Sequence, residues 1–286
     1  MPLTDELYLQ NQAFISVLGL DDNKIIRVSI CDNVRNNGVE APQTKRGEVH
    51  NEKLSNNLSR ARKKIYEYAM CNEWDYFFTG TFNPSKYDRS DLNGTFKQYS
   101  QWIRNNNRLH SCKIEYILIP EKHADGNCWH LHGLIRGIPK EQLKQFVIGD
   151  TMGKGLADKV KKGEKVFNWL TYSEKFGFCD LEPIKNHNAV SCYLLKYITK
   201  DMSRCVSELN AHLYYCSKGL KSAERIKHGS PIQPLQTVVI PSNYYKHDYG
   251  AILDFRYTEE NLNKLISAIR SRSDVINEEK RYYTNV

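Results

Sequence analysis

The chain has 286 residues, 40% of them apolar, with a net charge of +8 from 41 Lys and Arg against 33 Asp and Glu. That is enough apolar content for one domain with decorations, and no apolar run approaches the roughly 18 residues of a membrane span. The basic balance, with 18 Tyr and 10 Phe, favours an acidic partner and supplies ring surface for stacking bases, though many basic proteins bind no nucleic acid.

The eight cysteines form no C-x-x-C pair, and Cys112, Cys192 and Cys205 fall within strand- or helix-like runs. Reduced, mostly buried thiols of a cytosolic protein are expected. Met1 to Gln10 carries Asp5 and Glu6 and no apolar core of a leader, so no secretory signal is expected.

Residues 1–50 read as an appendage. Phe14 to Leu20 and Lys24 to Ile30 are strand-like and split by Asp21-Asp22-Asn23, a plausible hairpin, and Asp32 to Glu48 reads as loop. Residues 52–71 read as a helix from the spacing of Leu54, Leu58, Ala61, Ile65, Tyr68 and Ala69. Its polar face carries Arg60, Arg62, Lys63 and Lys64, either a solvated face or a contact to a phosphate backbone.

Asp75 to Phe82, aromatic and β-branched and closed by Asn83-Pro84, reads as a central strand. Arg89 to Arg108 follows as an amphipathic helix with Leu92, Phe96, Tyr99 and Ile103 on one side.

Lys113 to His123 reads as the next strand, then Ala124-Asp125-Gly126-Asn127, then Cys128-Trp-His130-Leu-His132-Gly-Leu-Ile135. Asp-Gly between two strand-like runs is a strong hairpin signal. With Asp125-Gly126 at the turn, residues whose numbers sum to 251 face each other, so Glu121 lies opposite His130, about 5 Å away at Cβ. His132 shares the face of His130, and Leu131 points the other way. One carboxylate and two imidazoles suit Mn²⁺ or Mg²⁺, with Zn²⁺ not excluded; a structural zinc needs four ligands, and no thiolate pair is spaced for one. The competing reading is a Glu–His surface pair.

Pro139 stands where a helix would start, continued by Glu141 to Val147; Gly149 to Gly163 reads as loop and Phe176 to Ile184 as strand. Asn188 is a candidate N-cap for a helix over Ala189 to Met202. There Tyr193 and Tyr197 are one turn apart, with Lys196 and Lys200 in a parallel row. Such a tyrosine pair is either packing or, beside a metal triad, a pair of nucleophiles, with an ammonium group favouring the phenolate. A second Tyr-x-x-Lys at Tyr215 and Lys218 lacks helical context, and Gly219 suggests a turn; it is read as structural or as a substrate contact. Thr237 to Ile240 reads as a strand and Glu259 to Ile269 as a final helix packed on the body.

Phe77-Phe-Thr-Gly80-Thr-Phe82, His130-Leu-His132 and Tyr193-Leu-Leu-Lys196-Tyr197-Ile-Thr-Lys200, in that order, resemble the three motifs of the HUH endonucleases, specifically rolling-circle replication initiators of small single-stranded DNA phages and plasmids. The resemblance spans roughly residues 60–220, and Gly80 stands where an apolar residue is usual. It implies an α+β fold in which a central antiparallel sheet of about five strands is flanked by helices. The domain would cover 51–225, with 226–286 as a C-terminal strand and helix packed on the core. It further implies a metal-dependent, site-specific nickase of single-stranded DNA or an origin hairpin. Glu121, His130 and His132 would hold Mn²⁺ or Mg²⁺, and Tyr197, alternating with Tyr193, would form a 5′-phosphotyrosyl link, assisted by Lys200 or Lys196. Host polymerase and helicase would be partners, since no Walker-type phosphate loop occurs. The alternatives are a transposase or relaxase with the same chemistry, and a non-catalytic binder of single-stranded nucleic acid. Relaxases of this type usually use three histidines.

Overall fold

The computed structural model describes residues 8–35, 51–122, 128–200, 213–247 and 250–271. In chain order the elements are β1 (Tyr8–Leu18), β2 (Ile25–Arg35), α1 (Asn51–Cys71), β3 (Tyr76–Thr81), α2 (Leu92–Leu109), β4 (Glu115–Lys122) and β5 (Trp129–Arg136). They continue as β6 (Leu143–Gln145), α3 (Lys154–Lys161), β7 (Phe167–Trp169), α4 (Leu170–Lys175), β8 (Cys179–Pro183), α5 (His187–Lys200) and β9 (Tyr215–Cys216). The last are β10 (Glu224–Pro231), α6 (Leu235–Val238), β11 (Asn243–His247), β12 (Gly250–Arg256), α7 (Glu259–Ser267) and β13 (Ile269–Arg270).

The chain divides into two units, residues 47–221 and the two terminal stretches 1–46 and 222–286. The larger is an α+β unit built on a seven-stranded antiparallel sheet in the order β6-β7-β8-β3-β5-β4-β9. Alternation along the strands sends side chains to two different layers. On one face Phe78, Leu118, Trp129, Leu131 and Leu181 pack with Phe96, Tyr99 and Ile103 of α2 and Tyr172 of α4. On the other, Phe77, Ile117, Ile119 and Leu134 pack with Ile65 and Ala69 of α1 and Leu194 of α5. β5, with the two histidines, lies between β3 and β4 near the sheet's centre, as expected.

The hairpin register follows the rule that paired numbers sum to 251, from Glu115 opposite Arg136 to Glu121 opposite His130. The proposed turn at Asp125-Gly126 lies outside the described residues. At the far end of the hairpin Glu115, 4% exposed, takes a 2.9 Å hydrogen bond from Arg136 Nε. At its middle, Gly133 lets the strands close: a Cβ there would lie 1.9 Å from the carbonyl oxygen of Ile117. Gly80 has a comparable reason. A Cβ on it would meet the Phe78 ring at 2.3 Å and Tyr172 Oη at 2.7 Å, the hydroxyl that donates to Thr81 O.

Several local expectations are corrected. Residues 140–142 form a single 3-10 turn and then β6, not a helix through Val147. Buried Gln142 is drawn inward, its Oε1 accepting from Trp169 Nε1 and Thr171 Oγ1, and Leu143 to Gln145 pair with β7. The glycines at 149 to 163 hide α3, whose Leu156 and Val160 stand one turn apart. α5 starts at His187, capped by Asn186, which accepts from Ala189 N at 2.9 Å; Asn188 is not the cap. β2 runs on to Arg35, into the stretch read as loop. Of the seven described cysteines, none in a disulfide, only Cys71 and Cys179 are buried; Cys192 is exposed, and Cys205 lies outside the described residues. No described helix is long and apolar enough to cross a membrane.

In the other unit, the expected N-terminal hairpin forms as β1 and β2. It joins β10 to β13 in a six-stranded sheet, order β11-β12-β2-β1-β10-β13. The described strands of the appendage at 1–50 and of the C-terminal piece therefore belong to one sheet. Ile15, Val28, Leu253 and Phe255 pack with Leu262 and Leu265 of α7. Thr237, read as strand, sits in α6, its hydroxyl and amide both donating to Pro234 O.

The close approach at Gly133 is directly testable. Gly133→Ala forces backbone apart at the centre of the sheet and is expected to cost about 2–4 kcal/mol. Urea denaturation measures it; a loss below about 0.5 kcal/mol would contradict the packing described.

Candidate metal and tyrosine site

The sheet face that meets α1 and α5 changes character along its length. Near Phe77, Ile117, Ile119 and Leu134 it is apolar. Alongside and beyond them the same face carries Thr79 and Thr81 on β3, Glu121 on β4, His130 and His132 on β5, and Asp180 and Glu182 on β8, with Glu182 opposite Phe77 and Ile119 opposite His132. Each is placed there by strand alternation and register. Thr79 is paired with His132 on one side and Asp180 on the other, so these three form one row across the sheet.

Glu121 and His132 meet directly: His132 Nε2 is 2.8 Å from Glu121 Oε2. The other ring nitrogen, Nδ1, lies 3.4 Å from Thr79 Oγ1, a long contact that fixes the ring's direction. His130 faces Glu121 across the hairpin, its ring nearly parallel to that of His132, at 13° with centroids 6.3 Å apart.

The donor chemistry fits a divalent ion. Adjacent ligands of a metal with bonds near 2.1 Å stand about 3 Å apart, the spacing already held by Glu121 and His132. The third corner is not drawn in: among the described residues no group of three His, Cys, Asp or Glu is gathered around a common point.

α5 covers this patch. Its first turn is tied to the end of α1, where His187 Nε2 is 2.8 Å from Asn72 O and Asn72 Nδ2 donates to Tyr68 O. Leu194, fully buried, anchors its middle. One turn further on, Tyr197 stacks on His132 at 4.4 Å and 17°. Tyr193 packs edge-on against Phe77, is 42% exposed, and its hydroxyl is 3.0 Å from that of Tyr197. The two tyrosines therefore share one hydrogen bond at the edge of the Glu–His pair.

Burial, the bond to Tyr193, and then the nearby charges of Tyr193, Glu121 and Glu182 hold the Tyr197 phenol far above its ordinary range. A cation among these carboxylates would reverse the sign of their influence. Lys196 is exposed, with its ammonium group 5.0 Å over the Tyr193 ring. α5 reaches Lys200, whose side chain lies outside the described residues.

The remaining candidates lie elsewhere. Arg60, Arg62 and Lys63 are exposed on α1, while Lys64 is half-buried over the Tyr68 ring and bonded to Glu67. Tyr215 is buried and stacked on Phe96 at 3.6 Å, which leaves it no nucleophile's access; Lys218 is exposed beside Gly219, which has φ +82°.

Thr79, Asp180 and Glu182 were not singled out from the sequence. Asp180-Leu-Glu182 has the same alternation as His130-Leu-His132, but only the pairing of β8 with β3 puts it on the same face. Burial first, and then Glu182, raise the Asp180 carboxyl from 3.8 to about 6, opposed by Lys159 and His132.

Two outcomes test this geometry. Because the folded state binds the Asp180 proton more tightly than the unfolded chain does, stability falls as pH rises from about 4 to 6, and the cost is complete above that. Asp180→Asn should then be more stable than wild type by on the order of 2–3 kcal/mol at pH 8, the gain shrinking toward pH 4. A pH series of urea denaturations reads this, and a pH-independent difference contradicts it. Separately, Mn²⁺ binding followed by electron paramagnetic resonance should weaken about 10- to 100-fold or more in Glu121→Gln and in His132→Ala. Unchanged binding in both would remove the pair from any metal site.

Comparison with known families matches residues 75–202, from the entry to β3 to just past α5, to the family described as Replication-associated protein ORF2/G2P. The matched stretch holds Glu121, His130, His132, Tyr193 and Tyr197. No curated protein and no solved structure matches the chain. The site-bearing part of the chain is thus similar to replication-associated proteins.

Proposed function

We propose that the chain is a rolling-circle replication initiator that nicks single-stranded origin DNA through a tyrosine nucleophile and rejoins it. The observation that carries this reading is the contact of Tyr197 with His132, itself joined to Glu121. A phenol packed on a metal-type ligand pair is poor design for a plain binding sheet, and the match to replication-associated proteins points the same way.

In the proposed reaction the Tyr197 oxygen attacks the scissile phosphorus in line. The bond from phosphorus to the 3′ oxygen breaks, a 5′-phosphotyrosyl bond forms, and the phenol's proton is balanced by protonation of the departing 3′ oxygen. The phosphodiester energy is kept in the protein–DNA bond, so the 3′-hydroxyl can attack in return and reseal the strand. The free 3′-hydroxyl can meanwhile prime a polymerase.

Glu121, His130 and His132 would hold Mn²⁺ or Mg²⁺. The chemistry supplied by such an ion is withdrawal of charge from the phosphate and the leaving oxygen. Tyr193, hydrogen-bonded to Tyr197, orients the phenol and is placed for a second cleavage while the first strand stays attached. Lys200 stands at the Tyr-x-x-Lys spacing from Tyr197 and would stabilise charge on the phosphate.

The test is incubation with single-stranded oligonucleotides and Mn²⁺, followed by denaturing electrophoresis. Wild type should give a covalent protein–DNA band. Tyr197→Phe should reduce it at least about 100-fold and Tyr193→Phe by less, because the second hydroxyl positions the first. A reversible shift with uncut DNA, indifferent to metal and to both substitutions, would instead indicate a binding protein.

A further inference from the structure

Beside the tyrosines lies a cleft of about 740 Å³ bordered by β3, β8, α3 and α5, within the range of small-ligand pockets. Asp180, Glu182, Lys159, Lys165, Tyr193 and Tyr197 are among its lining residues. Two of the charges cancel: Lys159 Nζ bonds Glu182 Oε1 at 2.7 Å. Asp180 is different. Half-buried, it lines the cleft and receives no hydrogen bond from any described residue. An acceptor without a protein donor, in a cleft that also contains the proposed nucleophile, is placed to meet a ligand's donor.

The ligand's chemistry follows from the lining. Three carboxylates and three lysines line the cleft, and two of these pairs are salt-bridged, so its interior offers no net positive charge to draw in a phosphate. A base is neutral, fits the volume, and finds a stacking surface in the exposed ring of Tyr193. An acidic side chain accepts from an exocyclic amine, as in recognition of the cytosine N4 amino group. Thymine offers no such amine.

We propose that this cleft receives the base adjoining the cleaved phosphodiester, and that Asp180 selects an amine-bearing base there. Tyr197 lines the same cleft, so the nucleotide it attacks has its base within one sugar's reach. Lys165, exposed among the lining residues, then faces the backbone. The inference deepens the nicking reading and rests on it for the position of the base relative to the cut, but the base preference can be measured without cleavage.

Fluorescence anisotropy at pH 8 with labelled (dC)₈ and (dT)₈ reads that preference in the full chain. Wild type should bind (dC)₈ roughly tenfold more tightly. Asp180→Asn, whose amide can donate to the thymine O4, should bring the ratio to about one or below it, and Asp180→Leu should abolish the preference. Circular dichroism melts establish that both variants are folded, and Asp180→Asn is expected to melt above wild type. An equal affinity of wild type for the two oligonucleotides, or a ratio unchanged in both variants, overturns the proposal. A covalent adduct with an unchanged ratio sinks the base-reading cleft alone. A shifted ratio without any adduct leaves the cleft standing and sinks the nicking reaction.

Discussion

The register of one hairpin governs everything at this site. Because β4 and β5 pair with numbers summing to 251, Glu121 faces His130, and His132 sits one diagonal step away, within 2.8 Å of the same carboxylate. A slip of one residue would turn the histidines into the layer now filled by Trp129 and Leu131, and would bury imidazoles against α2. Two features guard against that slip. Arg136 and Glu115 bond at the far end, and the strands close over Gly133 where no side chain has room.

The same sheet pays unequally on its two faces. The α2 face is continuous aromatic and aliphatic packing, with Tyr99, Trp169, Tyr172 and Phe176 fully buried. The α1 and α5 face keeps an apolar floor only as far as Phe77, Ile119 and Leu134. Beside and past these it gathers carboxylates, imidazoles and phenols, and burial pushes Asp180 and Tyr197 upward. Folding alone gains little from the two raised groups, and loss of stability at such places is the usual trade at a functional site, as the proposed one would be.

Most of the large unit was legible in the sequence. The Asp-Gly pair and the alternation on both sides of it fixed the strands and their register, although the turn itself lies outside the described residues. Helical spacing located α1, α2 and α5. What escaped had physical reasons. α3 was hidden by glycines on either side of it, and β6 by a buried Gln142 whose three-way bonding no local pattern reveals. The neighbours of β5 across β3 could not be read either. Thr79 and Asp180 belong to the site because β3 lies between β5 and β8, a long-range pairing with no local signature. The joining of β1 and β2 to strands more than 190 residues later is of the same kind.

The central claim is that the α5 tyrosines, standing over the Glu–His pair, carry the chemistry. Its most direct measurement is tandem mass spectrometry on the nuclease-trimmed, protease-digested protein after reaction with single-stranded DNA and Mn²⁺. The account requires a nucleotide mass on the peptide of α5, at Tyr197 or Tyr193. A nucleotide on Tyr214, Tyr215 or any residue outside α5 would contradict it.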